Sequence, residues 1–294
     1  MEHHGLSDEE RELARLVREF AEDVVAPQSY EADRTRTLSM DVVAQMGELG
    51  LFGLPFPEDV GGQGGDLVAL CLAVEALARV DQSIAITLEA AVSLGAMPVH
   101  RFGSEEQRQE LLPDLVAGRA LAGFGLTEPE AGSDAGATRT TARLEGDEWV
   151  IDGAKQFITN SGTPITRFVT VTAVTGERDG RKEISTLIVP SGTPGFTVGP
   201  AYDKVGWHAS DTHPLVFDGV RVPEQNLLGE RGRGFAAFLN ILDEGRIAIA
   251  ALATRGDAPL ALASTSKARG QAPVPTAACA SAASAGPSGS QARA

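Results

Sequence analysis

The chain has 294 residues, enough for two ordinary domains, and its apolar share of 43% is ample for buried cores. A formal charge of -15, with no Lys/Arg cluster longer than a pair, excludes nucleic acid as a partner, because a phosphate backbone calls for a basic stripe. The two cysteines, Cys71 in an apolar helical pattern and Cys279 in the final stretch, support neither a disulfide framework nor a thiolate metal site, and a reducing cytoplasm is the expected setting.

Ser7-Asp-Glu-Glu10 reads as a capping box. Leu13, Leu16, Val17, Phe20 and Val24 follow at helical spacing, and Pro27 is expected to stop the run. Ser39 opens a second helix through Leu49. Pro55, Pro57 and the Gly61-Gly-Gln-Gly-Gly65 cluster then force a loop. Leu67, Leu70, Cys71, Val74 and Leu77 mark a third helix, and a small-residue stretch from about Ser83 to Phe102 a fourth. Ser104-Glu-Glu-Gln107 caps a fifth helix that runs to Gly118. No leader pattern of basic then apolar residues precedes these helices, and no uninterrupted apolar run of about eighteen residues is present, so no membrane association is expected.

The period changes after Leu121. Trp149 and Ile151 alternate with polar residues, Phe168 to Val174 and Ile184 to Val189 are β-branched runs, and Asp218-Gly219 separates Leu215-Val-Phe217 from Val220-Arg-Val222 as a hairpin turn would. Gly229-Glu-Arg-Gly-Arg-Gly234 leads into a last helical pattern carrying Phe235, Phe238, Leu239, Leu242 and Ile249. That segment lacks the preceding strand and βαβ unit of a dinucleotide fingerprint and reads as a turn. From Arg255, Ala, Ser, Pro, Gly and Thr supply 29 of the last 40 residues, too few apolar groups to offset chain entropy, so disorder is expected. The fold class is therefore α+β: an N-terminal helical domain over residues 1–120, a β-barrel-like domain over 121–228, the first helix of a C-terminal bundle over 229–254, and a low-complexity tail over 255–294.

Phe124-Gly-Leu-Thr-Glu-Pro-Glu-Ala-Gly-Ser-Asp-Ala135 concentrates a rigid Pro129, a permissive Gly132 and the hydroxyls of Thr127 and Ser133 in one stretch. Such a stretch suits either a plain connecting loop or backbone wrapped around a phosphate or the polar edge of a ring. Lys155-Gln-Phe-Ile-Thr-Asn160 adds an aromatic and a further hydroxyl at a strand. No pair of His or carboxylate residues stands at a metal or nucleophile spacing, and His208 beside Trp207 reads as structural.

Together the two motifs resemble the flavin-binding signatures of the acyl-CoA dehydrogenase family, a resemblance that runs from Leu6 to about Ala253. It implies FAD as cofactor, with Phe124, Leu126, Thr127 and Ser133 along it and Phe157, Ile158 and Thr159 on its other side. Phe157 stands where many members carry Trp, and His208, in Lys204-Val-Gly-Trp-His-Ala-Ser-Asp-Thr212, where an Arg is frequent. The resemblance implies an acyl-CoA substrate contacted by Ser133, Asp243, Glu244, Gly245 and Arg246, although a carboxylate of this segment with Arg246 one turn away also suits a plain intrahelical ion pair. It implies α,β-dehydrogenation to the trans-2-enoyl-CoA, with electrons passed to an electron-transfer flavoprotein. An acyl-CoA oxidase is not separated from a dehydrogenase by these residues.

That reaction needs a carboxylate over the α-carbon. One branch of the family places it just before the matching Arg, and here that residue is Gly245; the other branch places it downstream, and Glu244 is the last glutamate in the sequence. The resemblance stops within a helix, as a shift of reading frame in GC-rich DNA would produce. The expectation is a dehydrogenase by lineage, inactive as this chain and without the family's homo-oligomer. The alternative is a non-catalytic flavin or acyl-CoA binder, or a partner of an intact paralogue.

Overall fold

The computed structural model describes residues 5–254, so the expected disordered tail and His3-His4 lie outside the described residues. The first helix, α1 (Asp8–Phe20), begins with the reciprocal cap read from the sequence: Glu10 N donates to Ser7 Oγ at 3.1 Å and Ser7 N to the Glu10 carboxylate at 2.6 Å. Pro27 does not end this run. A π turn, Ala21–Val25, re-phases the chain, and Pro27 falls in the first turn of α2 (Ala26–Thr35), where its missing N–H costs least. The helix ends at Arg36, in the left-handed region.

The helix α3 (Met40–Glu48) is capped by Ser39, and α4 (Leu67–Ala78) by Asp66, whose carboxylate accepts from Val68 N and Ala69 N. The glycine loop between them is a close-packed turn: a Cβ on Gly62 would lie 2.0 Å from the Phe56 carbonyl oxygen. Then come α5 (Gln82–Glu89), a second π turn (Ala90–Ala96), α6 (Met97–Phe102) and α7 (Glu105–Val116), the last with a Ser104/Gln107 capping box. The run Gln82–Phe102 is long and apolar enough to cross a bilayer, yet 83% of that window is buried within the fold, which makes it the core helix. Phe52, Phe56, Met46, Leu70 and Leu77 share one buried cluster with its Leu88, each contributing roughly 1.5–3 kcal/mol by burial.

The strands are β1 (Leu121–Gly125), β2 (Thr141–Glu145), β3 (Glu148–Thr159), β4 (Thr166–Arg178), β5 (Arg181–Pro190), β6 (Phe196–Val198), β7 (Thr212–Pro223) and β8 (Leu227–Leu228). They form one sheet in the order β6-β7-β3-β2-β4-β5-β8, with β1 parallel to β4. Alternation in β4 explains its mixed composition: Val169, Val171 and Ala173 enter the apolar core with Trp149 and Phe217, whereas Thr170 and Thr172 face β1 and donate to Gly123 O and Gly125 O. Asp218-Gly219 is not a hairpin turn. β7 runs through it, Gly219 takes φ +59°, and its N–H donates to the Asp152 carboxylate across the ladder at 2.9 Å, so the pair absorbs a bulge.

The chain leaves the sheet through Gly229–Gly234 and enters α8 (Gly234–Ala253). Gly232 N donates to Ser185 Oγ at 2.8 Å. A Cβ on Gly234 would stand 2.4 Å from Ser185 C and Thr186 N, so α8 starts in direct backbone contact with β5.

Candidate functional site

The two motifs meet through a buried ion pair. Lys155 Nζ lies 2.8 Å from Glu128 Oε1 and donates also to the Leu126 carbonyl and to Thr172 Oγ1. The Glu128 carboxylate accepts from Arg139 N at 2.7 Å and Thr140 N at 3.1 Å, so the loop from Leu126 to Thr140 is drawn onto β3 at both ends. Gln156 N donates to Thr127 O at 2.8 Å, which sets the second motif against the first. Burial pushes the Lys155 ammonium down to about 8, with Glu128 opposing that shift. Both residues were within the sequence motifs, but no sequence signal paired them. A lysine set among the strand's apolar residues Val150, Ile151, Ala154 and Ile158 was the available hint.

The register between β3 and β7 slips between Lys155 and Ile158. Phe157 occupies that bulge at φ +61°, an unusual backbone for an aromatic, and keeps 60% of its surface exposed. Ile158 points the other way into the sheet core, which leaves only its backbone for a ligand. Thr159 is half-buried opposite Thr212. The Tyr202 ring lies 4.8 Å from Phe157, on the loop between β6 and β7. His213 pins that loop, its Nδ1 on the Gly199 carbonyl at 2.7 Å and its Nε2 on the Asp211 carboxylate at 2.9 Å. Asp211 in turn accepts from Gly162 N, and its hydrogen bond raises the His213 imidazole above the ordinary range. His208 is structural, with Nδ1 2.9 Å from Asp33 Oδ1 on α2, and Trp207 Nε1 donates to Gln82 on α5.

Phe124 and Leu126 lie on the opposite side, against α8. The Phe124 and Phe238 rings stack at 3.7 Å, and Leu126, Ile241, Leu94 and Met97 complete the cluster. On α8 itself Asp243 and Arg246 are exposed and pair with each other, and Glu244 pairs with Arg101 of α6. Gly245 is buried, and its nearest neighbour is a residue the sequence reading passed over: a Cβ there would lie 3.4 Å from Glu89 Oε1. The substrate-contact candidates on α8 therefore divide into two exposed charges engaged with each other, one bridging charge and one buried backbone notch.

The donor set fits a cofactor with a diphosphate and a polar ring edge. Among the described residues, the backbone N–H groups of Gly132, Ser133 and Asp134 and the hydroxyls of Thr127, Ser133 and Thr159 donate to no protein acceptor. A Cβ on Gly132 would meet nothing within 4 Å, so this backbone is open to close approach. No cluster of His, Cys, Asp and Glu that could hold a metal is present among the described residues.

Comparison with known proteins bears on the family of the chain. Residues 7–119 match the model of the acyl-CoA dehydrogenase N-terminal domain and residues 123–220 that of the middle domain. The chain is 49% identical over 249 residues to a probable acyl-CoA dehydrogenase, YngJ, of Bacillus subtilis, covering 84% of this chain and 65% of that protein. It superposes on the butyryl-CoA dehydrogenase of Megasphaera elsdenii with a TM-score of 0.80 at 41% identity, over 84% of this chain and 65% of the other. An acyl-CoA dehydrogenase of Bacillus anthracis complexed with FAD gives a TM-score of 0.78 at 35% identity, over 85% of this chain and 42% of the other. The chain thus spans about 65% of the length of the first two relatives. With both domain models matched in order and relatives more than 40% identical over most of the chain, the chain belongs to the acyl-CoA dehydrogenase family.

Proposed function

We propose that this chain binds FAD and an acyl-CoA thioester, and that the reaction it serves is α,β-dehydrogenation to the trans-2-enoyl-CoA. The observation that carries the reading is the joining of the two motifs by Lys155 and Glu128, which brings an exposed aromatic and a run of unused donors to one region. Thr127, Ser133 and Thr159, with the N–H groups from Gly132 to Asp134, would hold the polar parts of FAD; Phe157 would cover its ring and exclude water. When bound, FAD supplies an acceptor for the hydride leaving the β-carbon. Ser133 and the α8 segment from Asp243 to Arg246 would hold the thioester, Arg246 once released from Asp243. An electron-transfer flavoprotein is the onward acceptor that the family resemblance suggests.

The test is an anaerobic titration of the full chain, supplied with FAD, with butyryl-CoA while the flavin absorbance band is followed. Loss of the band supports a working dehydrogenase. Failure to retain FAD removes the reading. FAD retained without loss of the band supports the second reading, a non-catalytic binder, which the Asp243–Arg246 pair and the absence of a side chain at Gly245 favour.

A further inference from the structure

Phe157 carries the bulge of β3 at φ +61°, a conformation that is strained for a bulky side chain and of the kind that functional sites retain. The backbone there does not fix where the ring points. With 60% of its surface exposed, Phe157 also has few neighbours to select one orientation. Its aromatic neighbour is Tyr202: the two ring centroids lie 4.8 Å apart at an interplanar angle of 36°. Among the described residues neither ring belongs to a buried apolar cluster, so the pair stands apart from the core.

The loop that carries Tyr202 is fixed along its length. Tyr202 N donates to Thr212 O at 3.1 Å and Gly199 N to Pro214 O at 2.8 Å, which ties the first part of the loop to β7. Lys204 Nζ donates to Thr212 Oγ1 at 2.9 Å, and beyond it Trp207 and His208 reach Gln82 and Asp33 on α5 and α2. Tyr202 therefore presents its ring to Phe157 from a braced support. The hydroxyl adds nothing to that bracing: its oxygen is buried and has no hydrogen-bond partner among the described residues, whereas a buried phenol kept for its hydroxyl normally finds one. The ring is the working part of this side chain.

We propose that Tyr202 is a positioning residue of the cofactor site, its ring holding the Phe157 ring in the orientation that covers the flavin. Without Tyr202 the Phe157 side chain would turn freely at an exposed position and would have to be ordered each time FAD binds, a loss of freedom that weakens affinity about two- to tenfold. Tyr202 acts through Phe157 rather than on the cofactor. The inference rests on the FAD reading above, with Phe157 as the residue that covers the ring.

FAD dissociation constants of the full chain, measured by quenching of FAD fluorescence, test this through Tyr202→Phe, Tyr202→Ala, Phe157→Ala and the double variant Phe157→Ala/Tyr202→Ala. Tyr202→Phe is expected to match the wild-type chain within about twofold, because the ring is kept. Tyr202→Ala is expected to weaken FAD by about three- to tenfold and to blur the fine structure of the bound-flavin absorbance band. In the Phe157→Ala background the same change is expected to alter affinity by less than about twofold, because the ring that Tyr202 positions is gone. Wild-type affinity in Tyr202→Ala, losses that multiply in the double variant, or a loss in Tyr202→Phe equal to that in Tyr202→Ala would each overturn the assignment and leave the FAD reading standing. A wild-type chain that binds no FAD overturns both. Should Tyr202→Ala fail to fold, Tyr202→Leu, which keeps apolar bulk without a ring, takes its place in the cycle and is read by the same outcomes.

Discussion

Lys155 and Glu128 face each other at 2.8 Å with side chains 0% and 4% exposed, and every further hydrogen bond they make reaches the loop or strand beside the proposed cofactor. A pair in this position trades Coulomb attraction against desolvation and adds little net stability, but removing one member strands a buried charge. Glu128→Gln or Lys155→Met is therefore expected to cost about 3–5 kcal/mol in urea unfolding. The double variant Glu128→Leu/Lys155→Met should recover most of that loss while weakening FAD binding, because the loop is no longer drawn onto β3. A double variant that keeps full FAD affinity would show that the pair does not position the site.

Glu89 makes stability depend on pH in a definite direction. Its carboxyl is raised to about 7 in the fold, so between about 4.5 and 7 the folded state holds a proton that the unfolded state has released. Stability then falls as pH rises through that window and is level above it. Full expression of the shift corresponds to roughly 3 kcal/mol. Glu89→Gln should remove this slope and be the more stable protein at pH 8; parallel stability curves for the two proteins from pH 5 to 8 would contradict it.

His213 acts in the same direction by a different cause. Its Asp211 hydrogen bond raises the folded imidazole above its ordinary value, so the contribution is complete below about pH 6.5 and is lost as pH rises through the folded value. Because both ring nitrogens face acceptors, the neutral ring satisfies only one. Protease cleavage in the loop between β6 and β7 should quicken at pH 9 relative to pH 6, normalised to an unrelated substrate. His213→Gln should abolish the difference; a loop equally resistant at both values would show that the clamp does not depend on the proton.

Which features were legible in the sequence follows from how local their causes are. The Ser7 and Ser104 caps, the start of α8 at Gly234 and the strand runs rest on neighbours within a few residues, and they stand where the pattern placed them. Pro27 and Asp218-Gly219 misled because a π turn and a bulge absorb what would otherwise end an element. Both devices insert one extra residue that no periodicity records. The Phe157 conformation, the Lys155–Glu128 pair and the seat of Glu89 over Gly245 join residues 27 to 156 positions apart and were beyond a pattern reading. The motifs nominated candidate site residues through family resemblance; the contacts that hold those residues came from the fold.

Gly234 tests how α8 is held. Its Cα approaches β5 so closely that a methyl group would stand 2.4 Å from Ser185 C and Thr186 N, with backbone rather than a movable side chain in the way. Gly234→Ala is expected to cost about 1–3 kcal/mol despite alanine's higher helix propensity. It should also loosen α8 and expose Phe238 to a dye that reports apolar surface. A neutral or stabilising effect in thermal unfolding would mean that α8 docks elsewhere on the sheet.

Phe157 separates a ligand-facing aromatic from a core one. Replacing a buried ring such as Phe168 by alanine should cost about 3–5 kcal/mol, because its contacts and its apolar burial are both lost. Phe157 keeps 60% of its surface exposed, so Phe157→Ala forfeits mainly the Tyr202 ring contact, about 0.5–1.5 kcal/mol. It also lessens crowding at a left-handed backbone position. The expected outcome is a protein within about 1 kcal/mol of the parent whose FAD affinity falls at least tenfold, a binding loss of about 1.4 kcal/mol or more. Urea unfolding and quenching of FAD fluorescence measure the two quantities on the same sample. A large stability loss with unchanged FAD affinity would reverse the assignment and make Phe157 a structural residue.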